Sequence, residues 1–173
     1  MFVQAELPKA PNPNPEFITM ITEPTLENRN SLPYVAITTQ VTMPDIPAVL
    51  PPLIPKVFYW LQNNGINPSG PPFFRYLEMN GKTMQVAVGF PVAEPVAGND
   101  GVLASSFPAG KYVIVRYQGP YSNLYQAHTF LENWTKNQNI ETQGPHAEFY
   151  ITDPVLEPNT EKWLTDIVRM VKC

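Results

Sequence analysis

Trp60–Tyr76 (WLQNNGINPSGPPFFRY) and Trp134–Tyr150 (WTKNQNIETQGPHAEFY) align without a gap at a constant offset of 74 residues. Six of seventeen positions coincide: Trp60/Trp134, Asn63/Asn137, Ile66/Ile140, Gly70/Gly144, Pro71/Pro145 and Tyr76/Tyr150. Two tryptophans and a Gly-Pro pair are rare letters, so the match marks an internal repeat.

Outward from these stretches the same order of elements appears twice. In the first half, the β-branched run Tyr34–Val41 reads as a strand. Val57–Leu61 reads as a helix stopped by Asn63-Asn64-Gly65. Pro51, Pro52 and Pro55 imply a late start for it, or a separate turn ahead of it. Phe73–Met79 and Met84–Phe90 flank Asn80-Gly81, a strong hairpin signal. In the second half, Lys111–Tyr117 reads as a strand and Ser122 as an N-cap. Leu124, Ala127, Leu131 and Trp134 form one apolar helical stripe. Ala147–Thr152 and Thr165–Val171 are strands, with Pro154–Thr160 a loop between them.

The expected architecture is α+β: tandem duplicated βαββ units forming an antiparallel sheet, with helices on one face and a ligand groove between the halves. One unit alone buries too little, and two pair into a wider sheet. The halves span about residues 34–92 and 111–172 of a domain covering 20–173, and residues 1–19 read as a flexible extension or an appended remnant.

Strand alternation places Ala147, Phe149 and Ile151 on one face and His146, Glu148 and Tyr150 on the other. The apolar set is expected to meet the helices, which leaves Glu148 and Tyr150 facing a cleft on the opposite side. Their equivalents in the first half are Phe74 and Tyr76. A carboxylate among aromatic rings suits a lipophilic cation. Trp60 and Trp134 fit a core role as well as a groove contact; Trp134 is kept as a candidate ligand contact, and Trp163 is expected to line one end of the groove.

Composition excludes several classes. The net charge is −4, with no basic face of the kind duplex binding requires, so no direct nucleic-acid contact is expected. No apolar run approaches the roughly 20 residues of a membrane span. A lone cysteine, Cys173, and the lack of a signal-peptide pattern point to the cytoplasm. His128 and His146 show no metal-ligand spacing, and no phosphate loop, dinucleotide fingerprint or Ser-His-Asp signature occurs, so neither metal nor cofactor is expected. Proline is abundant, at 21 of 173 residues, clustered in Pro8–Pro15, Pro44–Pro55 and Pro68–Pro72 as rigid connectors.

Several motifs together resemble the GyrI-like small-molecule-binding domain, the effector-binding domain of AraC-type and MerR-type transcription activators. They are Tyr34-Val-Ala-Ile, Gly89-Phe-Pro-Val92, Arg116-Tyr-Gln-Gly-Pro-Tyr121, Gly144-Pro-His-Ala-Glu148-Phe-Tyr150-Ile-Thr-Asp-Pro154 and Thr165-Asp-Ile-Val168. The resemblance implies a groove between the halves whose acidic residue is Glu148 and whose ligands are lipophilic or cationic. Residues 1–33 are too few and too proline-rich for a helix-turn-helix, so a stand-alone binder is expected. Two alternatives follow from relatives of similar length. One is a hydrolase of strained, cyclopropane-type compounds using Glu148 and Tyr150; the other is a gyrase-inhibitor-like protein-interaction module.

Overall fold

Eight strands and three helices follow one another in the computed structural model, which describes residues 20–173. The extension expected over residues 1–19 lies outside the described residues. In chain order the strands are β1 (Thr25–Arg29), β2 (Leu32–Thr42), β3 (Phe73–Asn80), β4 (Thr83–Pro91), β5 (Leu103–Phe107), β6 (Gly110–Gln118), β7 (Thr142–Tyr150) and β8 (Leu164–Val171). The helices are α1 (Ile46–Val49), α2 (Leu53–Asn63) and α3 (Leu124–Asn137), with single 3-10 turns at Met43–Asp45, Tyr121–Asn123 and Thr160–Lys162.

The strands form one antiparallel sheet in the order β1-β6-β8-β7-β3-β4-β2-β5. The first repeat is β2-α2-β3-β4 and the second β6-α3-β7-β8. The two meet where β3 pairs with β7, in the register Phe73↔Phe149, Phe74↔Glu148, Arg75↔Ala147 and Tyr76↔His146. Phe74 and Glu148 are equivalent positions of the repeats and also direct cross-strand partners, so a pseudo-twofold axis passes beside this pair.

Both long helices lie on the same face. Beneath α2, Val57, Trp60 and Leu61 pack with Val35, Phe90, Val92 and Val102. Beneath α3, Leu124, Ala127 and Leu131 pack with Val113, Val115, Tyr117 and Ile167. The opposite face gathers Tyr34, Phe73, Phe107, Phe149 and Val168 into a second core. The sheet curls around this core. Phe107 and Phe149 sit four strand steps apart, about 19 Å in a flat sheet, yet their ring centroids are 5.4 Å apart.

This corrects the facing expected from the sequence. Ala147 and Phe149 belong to the curled, aromatic side. Glu148 pairs with Ile167, which lies beneath α3, so Glu148 and Tyr150 are on the helix face. The alternation was right and its orientation reversed, because the curl supplies a second apolar interior to a sheet expected to have one.

Local differences have local causes. The edge strands β1 and β5 (TLENR and LASSF) are short and largely exposed, without the alternation that marks a half-buried strand. Pro55 falls inside α2, whose first turn starts at Leu53; an N–H there has no intrahelical acceptor to lose. The separate turn ahead of it is also present, as α1. Asn123, not Ser122, stands at the N-cap of α3, because Tyr121–Asn123 first form a 3-10 turn. β7 begins at Thr142 and passes through Gly144-Pro145 as a bulge between Gln143 and Ala147. The β3–β4 hairpin turns at Gly81-Lys82, with Gly81 at φ +65° and Asn80 paired to Thr83.

Candidate functional site

At the junction of the halves, on the helix face, Glu148 has no solvent exposure at all. Such a carboxylate must be satisfied by hydrogen bonds, and three side chains from three elements supply them. Tyr76 of β3 donates its hydroxyl to Oε1 at 3.2 Å, and Tyr150 of β7 donates to the same oxygen at 2.5 Å. His128 of α3 brings Nε2 to 2.6 Å from Oε2. Each arrives by simple geometry. Tyr150 follows Glu148 by two residues on one strand face, and Tyr76 lies on the neighbouring strand. His128 is four residues after Leu124 and three before Leu131, on the buried stripe of α3.

Burial, then the charge of Glu148, raises the Tyr76 and Tyr150 hydroxyls well above the ordinary phenol value. Both therefore remain O–H donors across the physiological range. His146 stacks on Tyr76 at 5.0 Å and meets His128 edge-on at 5.3 Å. Burial pulls its pKa well below 6.5, helped by His128 and then Arg169, so His146 is an uncharged ring at neutral pH. On β8, two buried polar atoms have no hydrogen-bond partner: Thr165 Oγ1, beside Tyr150 in the register, and Arg169 Nε.

An aromatic run leads away from the carboxylate. Phe74 meets Tyr150 edge-on at 4.9 Å, Tyr150 meets Tyr121 at 5.5 Å, and Tyr121 lies 4.6 Å from Trp163. Trp163 donates its indole N–H to the Glu157 carbonyl at 2.7 Å, which fixes the end of the run. Desolvation, with Asp153 and Glu148 nearby, pushes the Tyr121 hydroxyl up to about 12. Above this floor sits the proline-rich segment. Ile46, Leu50, Leu53 and Ile54 pack with Phe74, Tyr76 and Tyr150 in one cluster.

The structure thus brings Phe74, Tyr76, Glu148 and Tyr150 together and sets Trp163 at the far end of their aromatic run. Trp134, near the end of α3, is half-buried and packs against the core cluster that holds Ile21 and Leu131. Trp60 is core, donating to Asn99 Oδ1 at 2.9 Å. Sequence reasoning missed His128 and Tyr121. His128 completes the i, i+3, i+4, i+7 stripe with Leu124, Ala127 and Leu131, and that spacing was the available signal. Among the described residues no group of three or more His, Cys, Asp or Glu side chains is arranged to hold a metal ion. No helix among them is long and apolar enough to cross a membrane.

The family model of the GyrI-like small molecule binding domain matches residues 22–172, nearly the whole described chain. The chain belongs to the GyrI-like family. Its architecture is shared with solved structures at low sequence identity. The crystal structure of the EcmrR C-terminal domain matches with a TM-score of 0.74 at 19% identity, covering 87% of this chain and 97% of that one. SAV2435 bound to tetraphenylphosphonium matches with a TM-score of 0.62 at 15% identity, covering 87% and 94%. A hydrolase from Listeria innocua matches with a TM-score of 0.58 at 14% identity, covering 87% and 92%. No curated protein matches this GyrI-like chain.

Proposed function

We propose that this small-molecule-binding domain takes lipophilic cations, with the charge held at Glu148 and the body of the ligand laid along Phe74, Tyr150, Tyr121 and Trp163. The observation that carries the reading is a fully buried carboxylate whose hydrogen-bond partners include two neutral phenols, set in an aromatic floor. A cation over such rings gains from their faces as well as from the carboxylate. SAV2435, of the same fold, is bound to tetraphenylphosphonium, which makes that cation a natural probe.

Because Glu148 is closed off, a ligand enters only if part of the cover formed by Ile46–Ile54 gives way. This segment is short of regular structure: α1 has four residues, and Pro51-Pro52 separates it from α2. Opening it costs apolar contacts that a lipophilic ligand replaces.

The test is calorimetric titration with tetraphenylphosphonium of the wild type and of Glu148→Gln. The variant keeps shape and loses charge, so binding should weaken by about 2–5 kcal/mol, the usual penalty for removing one partner of a buried charge pair. Melting temperature should stay nearly unchanged, since the amide keeps the shape and its carbonyl still accepts from the phenols. Equal affinity in the two proteins would remove Glu148 from the site. The short His128–Glu148 contact also suits a general acid–base pair, which gives the hydrolase reading its footing. Turnover of a strained electrophile by the wild type, lost in Glu148→Gln, would replace the binder with an enzyme. The protein-interaction reading rests on acidic charge alone.

A further inference from the structure

On the other side of the sheet from Glu148, Arg75 of β3 is only 9% exposed. Its Nη1 donates to the Tyr34 hydroxyl at 2.9 Å and to the Ser106 carbonyl at 3.3 Å. The guanidinium lies over the Phe107 ring at 4.6 Å and the Tyr34 ring at 5.7 Å. Its Nε is buried with no hydrogen-bond partner. Among the described residues no carboxylate comes within ion-pair distance of it. A buried cation without a counterion is costly, and aromatic faces offset only part of that cost.

The guanidinium borders a small hollow of about 30 Å³ that opens to solvent. Phe107, Tyr112, Val168 and Met170 form its apolar walls, and the β7 bulge at Gly144-Pro145 forms another side. Space exists there because Arg75 faces the small Ala147 across the β3–β7 pair, and because the bulge lifts β7 away from regular pairing with β8.

We propose that this hollow is a second binding site, for a small organic monocarboxylate with an apolar body. The carboxylate would pair with the guanidinium, engaging the unsatisfied Nε, a geometry in which planar acids bond strongly. The hollow takes the carboxylate end, and the body would rest at its open mouth against Phe107, Tyr112 and Met170. One cation among apolar walls matches one negative charge; a phosphate dianion would remain half-compensated. The site is separate from that of Glu148, since successive residues on a strand point to opposite faces.

Titration with benzoate, followed through the arginine Nε–Hε resonances, tests this. Saturable binding is expected, with neutral benzamide at least about tenfold weaker, a difference of about 1.4 kcal/mol. Arg75→Met, followed by calorimetry because it removes the reporting Nε–Hε group, should abolish benzoate binding. Met170→Trp, which keeps the cation and fills the hollow, should abolish it independently, so a folding defect in one variant leaves the other to decide. Glu148→Gln should leave benzoate binding unchanged. Equal binding of benzoate and benzamide, persistence in both hollow variants, or no saturation by roughly 10 mM would overturn the proposal.

Discussion

His146 is the residue whose environment has the plainest consequence for stability. It is faced by Tyr76 of β3, His128 of α3 and Arg169 of β8, and it shares β7 with Glu148. Its folded pKa is depressed by burial, while the unfolded chain titrates near 6.5. Above that value both states are neutral at this site and nothing is lost. As pH falls below it, the unfolded state takes up a proton that the folded state refuses. Stability from this residue should therefore drop by up to about 1.4 kcal/mol per pH unit between the unfolded and folded values. Urea unfolding at pH 7.0, 6.0 and 5.0 measures it. His146→Phe, which keeps a ring against Tyr76, should flatten the slope; an equal slope in wild type and variant would assign the acid sensitivity elsewhere. Glu148 was legible beforehand because alternation and an apolar neighbourhood isolate it. His128 was not, since its place in the α3 stripe signals burial but does not say which strand lies beneath it.

Among the elements, the link from β6 to α3 decides where His128 lands. Gly119 adopts φ +146°, and a Cβ there would lie 2.6 Å from the Tyr117 hydroxyl, which itself donates to the Pro120 carbonyl at 2.8 Å. Gly119→Ala should cost about 1–3 kcal/mol by backbone strain, before any displacement of Tyr117. Thermal unfolding would show it, and an unchanged melting temperature would mean that the turn relaxes freely. The long inner strands and both long helices were readable because their apolar periods match burial: the α3 stripe Leu124, Ala127 and Leu131 is buried throughout. The edge strands were not readable. Thr25–Arg29 is four-fifths exposed by position and holds its place through pairing with β6, which a local pattern does not encode.

For the whole molecule, the repeat predicted the topology and the curl decided the facing. An offset in sequence can specify that two halves pair, but a second interior arises only when β5 wraps Phe107 onto Phe149 and Phe73. Phe107→Ala should therefore cost about 3–5 kcal/mol, as for other buried aromatic truncations. In protein that remains folded, tetraphenylphosphonium affinity should change little, because the curled interior and the Glu148 side are separated by the sheet. Denaturant unfolding and calorimetry on the same sample check both halves of this statement, and a large loss of affinity would show that the two sides are mechanically coupled.

The pairing of Phe74 with Glu148 has one more consequence. Because the pseudo-axis runs beside this pair, identical residues at the repeated position would touch one another. Two carboxylates there would share a proton or demand a doubly charged guest. With phenylalanine in one copy and glutamate in the other, the duplicated chain carries an odd charge where its symmetry would have written an even one. On the proposed reading, the valence of the acceptable ligand is set by that single broken equivalence: monocations should be preferred to dications of the same shape.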